Sequence, residues 1–114
     1  MLQSRLNWRN SKAFAEKQFG DLVKAVIDVQ QGIMAIGGEL HADEEVLLVE
    51  KSGSKRENTW GINLYPAQFD GEFIEFDSMI NIKPHLGNRS RSVEDQEIRK
   101  KINKIVTKLV IKNT

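Results

Sequence analysis

The sequence predicts an α+β fold: a small antiparallel sheet of about three strands, covered on one face by helices and followed by a long amphipathic C-terminal helix. Two observations predict this class. Short segments in which apolar and polar residues alternate are bounded by glycine or proline, as is typical of antiparallel strands. Near the C-terminal end, apolar residues recur every three or four positions, which is typical of one face of a helix.

Length and composition restrict the class of protein. A chain of 114 residues is long enough for one hydrophobic core, so we expect a single domain over residues 1–114, with residues 1–10 as a flexible or divergent segment. No apolar run reaches the length of a membrane span, and the chain has no cysteine. These features exclude disulfides and thiolate metal sites and lead us to expect a cytoplasmic protein that does not bind membranes.

The charges are distributed unevenly along the chain. From Glu39 to Asp77 ten acidic residues accompany three basic ones (net −7), and from Lys83 to Lys112 nine basic residues accompany three acidic ones (net +6). The two segments could pair within the fold, so the asymmetry is weak evidence for a nucleic-acid or phosphate partner. No aromatic residue interleaves with the basic side of the last helix, which favours a solvated face.

The first half of the chain contains one ambiguous segment. Residues 11–19 are predicted to form a short helix that ends at Gly20. Residues 22–36 fit either a strand or a helix, and their alternation and β-branched content favour one long strand, bulged at Gln31–Gly32. After Gly37–Gly38, a helix is predicted from His41 to Glu50, because acidic residues fill its first turn and Ser52–Gly53 follows its end.

The second half of the chain has clearer patterns. A short strand is predicted around Trp60, closed by Pro66, and an Asp70–Gly71 turn follows. Residues 73–83 alternate so regularly that a long strand is predicted there, ended by Pro84. Its more polar side carries Phe73 and Met79, so a homodimer through this side is a hypothesis.

The C-terminal helix is predicted to begin at Ser92, with Asp95 completing a capping box. Its apolar stripe is expected to pack on the sheet and consists of Ile98, Ile102, Ile105, Val106, Leu109 and Val110.

Four motifs resemble those of a family of small bacterial proteins of unknown function. They are Gly37-Gly-Glu-Leu-His-Ala-Asp43, Trp60-Gly-Ile-Asn63, Ser78-Met-Ile-Asn-Ile-Lys-Pro84 and Asn88-Arg-Ser90. The resemblance extends over about residues 19–110, whereas the first ten residues depart from the usual start of the family. It implies a small cytoplasmic bacterial domain and no particular reaction.

The first of these motifs contains the sharpest candidate site. If the segment is extended, Glu39, His41 and Asp43 lie on one face, where they could hold a divalent metal or a substrate. If the segment begins a helix, its carboxylates only satisfy free N–H groups and His41 lies near the cap. The second interpretation is the more common one, so the metal site is a weak candidate and no cofactor is predicted.

The loop before the last helix contains the second candidate site. Asn88, Arg89 and Arg91 could bind a phosphate, although Glu94 and Asp95 beside them would repel an anion. An imidazole and a guanidinium could also cleave RNA without metal, which makes His41, Glu39 and Arg89 a candidate catalytic set.

Trp60 and Asn63 are further candidate binding residues, although Trp60 is expected to face the core. The sequence contains no motif of a nucleophilic serine or cysteine, no Walker motif and no dinucleotide-binding motif. Three functions therefore stay open. We favour a non-catalytic binding or regulatory module with a protein or anionic partner. The alternatives are a ribonuclease-like, toxin-type protein and a metal-dependent hydrolase, so whether the protein is an enzyme stays undecided.

Overall fold

The computed structural model describes residues 2–3, 6–7, 22–65 and 73–111. The helix predicted over residues 11–19, the strand end at Pro66 and the Asp70–Gly71 turn lie outside these ranges. Within them, no helix is both long enough and apolar enough to cross a membrane.

Five strands form one antiparallel sheet in the order β1-β4-β3-β5-β6. They are β1 (Leu2–Gln3), β3 (Val23–Asp28), β4 (Ile33–Ile36), β5 (Thr59–Leu64) and β6 (Ile74–Glu75). A separate parallel pair joins β2 (Leu6–Asn7) to β7 (Val110–Ile111). The predicted α+β class is confirmed, with more strands than the three or so expected.

Residues 22–36 form a hairpin of β3 and β4, so the prediction of one bulged strand was wrong. The connecting turn forms around Asp28, whose carboxylate accepts hydrogen bonds from the backbone N–H groups of Gln30 (2.8 Å) and Gln31 (3.0 Å). Gly32 completes the turn in the left-handed conformation, at φ +69°. A side chain that satisfies the turn backbone thus reverses the chain at the polar residues between the two apolar strands.

The first described helix, α1 (His41–Ser52), agrees with its prediction. Asp43 and Glu44 lie in its first turn, as the sequence predicted, although no side chain forms a capping hydrogen bond there. The helix ends at Gly53, which adopts a left-handed conformation (φ +67°) and donates its N–H to the Leu48 carbonyl. Strand β5 likewise agrees with the alternation around Trp60.

Residues 73–83 form only the two-residue strand β6, which corrects the prediction of a long strand. The chain then turns at Ser78, and Met79–Asn81 form a 3-10 turn. The buried carboxamide of Asn81 accepts a hydrogen bond from the Gly61 N–H (2.8 Å) and donates one to the Gly61 carbonyl (2.9 Å). A side chain therefore takes the place that the peptide group of a neighbouring strand would occupy beside β5.

The C-terminal helix α2 (Gln96–Leu109) begins four residues later than predicted. Asp95 caps it, since its carboxylate accepts the N–H of Glu97 at 2.8 Å. Ser92 is engaged elsewhere: its hydroxyl accepts a hydrogen bond from Arg99 (2.7 Å). At the other end Val110 belongs to β7, not to the helix as expected.

The two helices lie on opposite faces of the sheet, whereas the sequence predicted one covered face. On the α2 face, Ile102, Val106 and Leu109 pack in one cluster with alternate residues of the strands, which are Val23, Ala25, Ile27, Trp60, Ile62 and Leu64. On the α1 face, Leu48 packs against Val26 and Ala35. Phe73, proposed above for a dimer interface, is 8% exposed and belongs to the α2-face cluster.

Candidate functional site

His41 is the first residue of α1 and joins this helix to β5. Its ring Nε2 lies 2.8 Å from the carbonyl oxygen of Ile62. Because a carbonyl only accepts, Nε2 carries the hydrogen and donates it. The ring also packs on Gly61, where an added Cβ would lie 3.2 Å from the imidazole Cδ2. The imidazole thus holds the start of the helix on the sheet.

The surroundings of His41 favour its neutral form. Burial lowers its pKa below the usual 6.5, and the charge of Lys24 acts in the same direction. The hydrogen bond to Ile62 and the charge of Asp77 act in the opposite direction but are outweighed. At neutral pH the imidazole is therefore uncharged, and Nδ1 carries its lone pair.

The structure does not bring Glu39, His41 and Asp43 together as a ligand group, and the weak metal candidate stays a prediction. Glu39 and Asp43 are exposed, and in residues 22–65 and 73–111 no group of three His, Cys, Asp or Glu side chains is placed to hold a metal ion. The physical reason is the start of α1 at His41. A helical turn ends the period-two geometry that would have aligned the three side chains.

Glu44 is a buried carboxyl group that the sequence analysis missed. The residue is 0% exposed, and its Oε2 accepts the N–H of Gly38 at 3.0 Å, while Oε1 has no partner among the described residues. Burial raises its pKa to about 9, so the group is protonated at neutral pH. Its spacing of four residues from the buried Leu48 was the available signal that it faces the sheet.

Asn63 also lies on the α1 face. Its Nδ2 donates a hydrogen bond to Glu75 at 2.8 Å, and its buried Oδ1 has no partner among the described residues. Lys24 stands directly opposite Asn63 on the neighbouring strand. Asn63 is therefore part of a polar cluster beneath α1.

The two arginines of the predicted phosphate loop have different neighbours. Arg91 donates through Nε to Asp77 (2.7 Å), the same aspartate whose charge acts on His41. Arg89 is exposed, and its backbone N–H donates to the carboxylate of Glu94 at 2.9 Å. The catalytic pairing of His41 with Arg89 stays a prediction.

A cavity of about 230 Å³ lies between β5, the 84–88 turn and the start of α2. Two predicted binding residues, Trp60 and Asn88, line it together. The complete lining among the described residues is Glu57, Trp60, Leu86, Gly87, Asn88, Glu94, Asp95 and Ile98. We refer to this space as the Trp60 cavity.

The indole of Trp60 has an unused hydrogen-bond donor. The residue is 2% exposed, and its Nε1 has no hydrogen-bond partner among the described residues. Buried tryptophans usually find an acceptor for this N–H group. Trp60 is therefore a core residue, as expected, and it combines a buried orphan donor with a place in the lining of the cavity.

Asn88 lines the cavity and has a structural role there. Its side-chain Nδ2 donates to the carbonyls of Asn81 and Ser92, both at 2.7 Å, and its Oδ1 accepts the N–H of Glu94 at 2.8 Å. These bonds occupy both ends of the carboxamide. Asn88 thus keeps the loop in shape, and the binding role predicted for it stays untested.

The described lining of the Trp60 cavity is acidic. It contains Glu57, Glu94 and Asp95 and no basic residue. Glu94 is held by the backbone N–H groups of Arg89 and Ser90, both at 2.9 Å. A ligand with a positive charge fits this lining, whereas the sequence analysis had considered an anion for the same loop.

A second cavity, of about 370 Å³, lies beside the β3–β4 turn. Its buried charged group, Asp28, already accepts hydrogen bonds from Gln30, Gln31 and Ser54. The orphan donor thus distinguishes the smaller cavity.

Comparison with known families identifies the chain at this point. The model of the DUF5674 family, described as a protein of unknown function, matches residues 1–109. The chain belongs to this family. No curated protein and no solved structure matches the chain significantly.

Proposed function

We propose that this protein is a non-catalytic binding module and that the Trp60 cavity binds a positively charged group of its ligand. One observation carries the proposal: Trp60, whose buried indole N–H has no partner among the described residues, lines a cavity together with three acidic residues. The donor requires an acceptor, and the carboxylates attract a cation.

The orphan donor supports binding because an unsatisfied buried group is costly. Leaving a donor without a partner costs about 1–3 kcal/mol, which an entering acceptor recovers. Water could also serve as the acceptor, but it brings no positive charge to the three acidic residues of the lining. A cationic ligand with its own acceptor satisfies both needs.

The size of the cavity indicates how much of the ligand it accepts. Sites for drug-sized ligands enclose roughly 300–1,000 Å³. At about 230 Å³, the Trp60 cavity is smaller. It suits a small amine or a single basic side chain.

The enzymatic alternatives have less support. In the ribonuclease-like alternative His41 acts on a substrate, yet its Nε2 is engaged by the Ile62 carbonyl. The metal-dependent hydrolase needs three converging ligands, and Glu39 and Asp43 are instead exposed.

The test uses Trp60 as its own reporter. The protein has two tryptophans, so a Trp8→Phe background leaves Trp60 as the only indole. This protein is titrated with Nα-acetyl-arginine methylamide and with Nα-acetyl-glutamate methylamide as the anionic match. We expect a saturable fluorescence change with the arginine probe only, at about millimolar concentration, since a single side chain provides few contacts.

A pair of variants makes the test specific. Glu57→Gln removes one charge of the lining and should weaken binding of the arginine probe, whereas Glu50→Gln, at an exposed position of α1, should not. Equal responses to the two probes would overturn the proposal. So would equal affinities of the two variants.

A further inference from the structure

We propose that the exposed side of α2 binds the phosphate backbone of a nucleic-acid duplex without reading its base sequence. This side carries four lysines, and we refer to them as the basic face: Lys100, Lys101, Lys104 and Lys108. The proposal goes beyond the proposed function, because no lysine belongs to the described lining of the Trp60 cavity. It follows from the arrangement of the lysines, from the few counter-charges that the described residues offer them and from the residues between them.

The helical repeat gathers the four lysines on one side of α2. Lys100, Lys104 and Lys108 follow one another at intervals of four residues, so they form one stripe in which neighbours lie about 6 Å apart along the axis. Lys101 precedes Lys104 by three residues and lies beside this stripe. All four lysines are exposed, and together they extend over about 12 Å of the helix axis. The opposite side of the helix is buried against the sheet.

The described residues leave most of this positive charge without a counter-charge. They contain three ion pairs, and only the pair of Lys100 with Glu97 (3.2 Å) involves the basic face. Its side chains are 73% and 76% exposed, and an ion pair in such a position contributes little. Lys101, Lys104 and Lys108 form no ion pair with any described residue. The basic face therefore keeps a positive potential.

The sheet separates the acidic and the basic side of the molecule. The exposed charges of α1 are mostly acidic, with Asp43 and Glu50 against Lys51, and α1 lies on the opposite face of the sheet from α2. Among the described residues, a single ion pair joins the acidic to the basic segment of the chain, that of Asp77 with Arg91 (2.7 Å). Pairing within the fold thus does not cancel the basic face. Such an asymmetry orients the α2 side toward an approaching polyanion.

The residues between the lysines distinguish a duplex from other anionic partners. A helix that binds a membrane surface inserts apolar residues beside its lysines, and the bases of a single strand stack on aromatic side chains. The exposed residues between the lysines are instead Asn103 and Thr107, which can donate hydrogen bonds to phosphate and sugar oxygens. No aromatic residue occurs in α2. This composition argues against base stacking and membrane insertion but not against phosphate contacts.

The acidic start of α2 limits the contact to the part of the helix that follows it. Glu94, Asp95 and Glu97 precede the lysines, whereas residues 98–109 contain no acidic residue. A duplex carries one negative charge for about 1.7 Å of its axis, hence about seven over the length of the basic face. Each of the four lysines can therefore contact a phosphate. Binding of this kind does not depend on the base sequence and is weakened by salt.

The experiment measures how salt weakens the binding of a labelled DNA duplex. Fluorescence anisotropy gives the affinity at NaCl concentrations from about 20 to about 80 mM, and an RNA duplex of the same sequence distinguishes the source of the phosphates. With four contacts, the logarithm of the binding constant should fall against the logarithm of the salt concentration with a slope of about −3.6 for DNA. The fourfold rise in salt should thus weaken binding about 150-fold.

Two double variants of equal charge locate the contact. Lys104→Gln with Lys108→Gln removes two lysines of the basic face and should reduce the slope to about −1.8, so that the same rise in salt weakens binding only about 12-fold. Lys51→Gln with Lys55→Gln removes the same charge in and after α1 and should leave the slope at about −3.6. All four positions are exposed, so both variants should fold, which circular dichroism checks.

Three results would overturn the proposal. The first is no binding of either duplex at the lowest salt concentration, and the second is an equal slope for the two double variants. The third is tighter binding to phosphatidylserine vesicles than to the duplexes at equal concentration of negative charge, which would make a membrane surface the partner. The arginine probe tests the proposed function separately, because neither double variant changes the described lining of the Trp60 cavity.

Discussion

The two faces of the sheet are built from alternate residues of the same strands, yet they differ in chemistry. The α2 face is a continuous apolar cluster. The α1 face has a small apolar cluster around Leu48 and buried polar side chains beside it, which are Glu44, Glu45, Thr59, Asn63, Ser78 and Asn81.

The difference shows two ways of stabilising one sheet. The α2 face is stabilised by burial of apolar area, which has no directional requirement. On the α1 face, hydrogen bonds with defined partners position the elements, such as the bond of Thr59 to Glu45 (2.5 Å) and the two bonds of Asn81 to Gly61. Such a network specifies geometry, and the loss of one member leaves its partners buried and unsatisfied.

The largest effect is expected on the α2 face. Ile102 is 0% exposed in the apolar cluster, so Ile102→Ala should lower the free energy of unfolding by about 2–5 kcal/mol, and Ile102→Val by about 0.5–1.5 kcal/mol. Urea denaturation measures both. Equal losses for the two variants would show that this face is not closely packed.

Asn81 tests the network of the α1 face. Asn81→Ala removes the two bonds to Gly61 and the bond to the Arg91 carbonyl (2.9 Å), which should cost roughly 3 kcal/mol at about 1 kcal/mol for each bond. Asn103→Ala, at an exposed position of α2, is the matched control. A cost below that of the control would contradict the structural role given to Asn81.

Glu44 gives the α1 face a dependence on pH. Its pKa is raised from 4.5 to about 9 in the folded protein, so its contribution to stability is present below pH 4.5 and is lost as the pH rises toward 9. Between about pH 7 and 8.5, Glu44→Gln should therefore gain stability over the unmodified protein by up to about 1.4 kcal/mol per pH unit.

Urea denaturation at several pH values measures this gain, with Glu50→Gln as the control at an exposed position of α1. The range above pH 7 avoids His41. The pKa of His41 is lowered, so its contribution is present above pH 6.5 and is lost as the pH falls below that value. A difference that stays constant with pH would exclude a protonated Glu44.

His41 is expected to show the smallest effect. His41→Ala removes one hydrogen bond to the Ile62 carbonyl and should cost about 1 kcal/mol. His85→Ala, at an exposed position, serves as the control. If the protein cleaves total RNA and His41→Ala abolishes the cleavage, the imidazole is catalytic and the role assigned to it here is wrong.

Local patterns were reliable where one element could satisfy its own backbone. The apolar stripe of α2 and the acidic first turn and terminal glycine of α1 predicted these helices, because helical hydrogen bonds are local. The alternation around Trp60 predicted β5, in which Trp60, Ile62 and Leu64 belong to the apolar cluster of the α2 face, although all six residues of this interior strand are buried.

The same patterns misled where a distant side chain replaced a backbone partner. Alternation over residues 73–83 is typical of a strand, but the carboxamide of Asn81 occupies the edge of β5 that a longer β6 would need. In residues 22–36 the missed signal was local, since the Asp28 carboxylate accepts the N–H groups of Gln30 and Gln31 within a polar turn. The distant Ser54 hydroxyl donates to the same carboxylate at 2.6 Å.

The candidate site shows the same division. The sequence singled out Trp60 and Asn88 separately, and the fold placed them on one cavity. The sequence also singled out Glu39, His41 and Asp43 together. Because α1 begins at His41, the imidazole bonds to β5 while the two carboxylates are exposed. The sequence placed Glu94 and Asp95 beside the basic loop, which was the available signal for the acidic lining of the Trp60 cavity.

By itself, the sequence determined the α+β class, the helices α1 and α2, the strand β5 and the core position of Trp60, because burial and helical hydrogen bonding follow short-range periodicity. Only the tertiary structure decided which face each helix covers, where β6 stops and which side chains share a cavity. Those outcomes depend on hydrogen bonds between residues up to 26 positions apart, such as the bond of Ser54 to Asp28, and the patterns of neighbouring residues do not contain them.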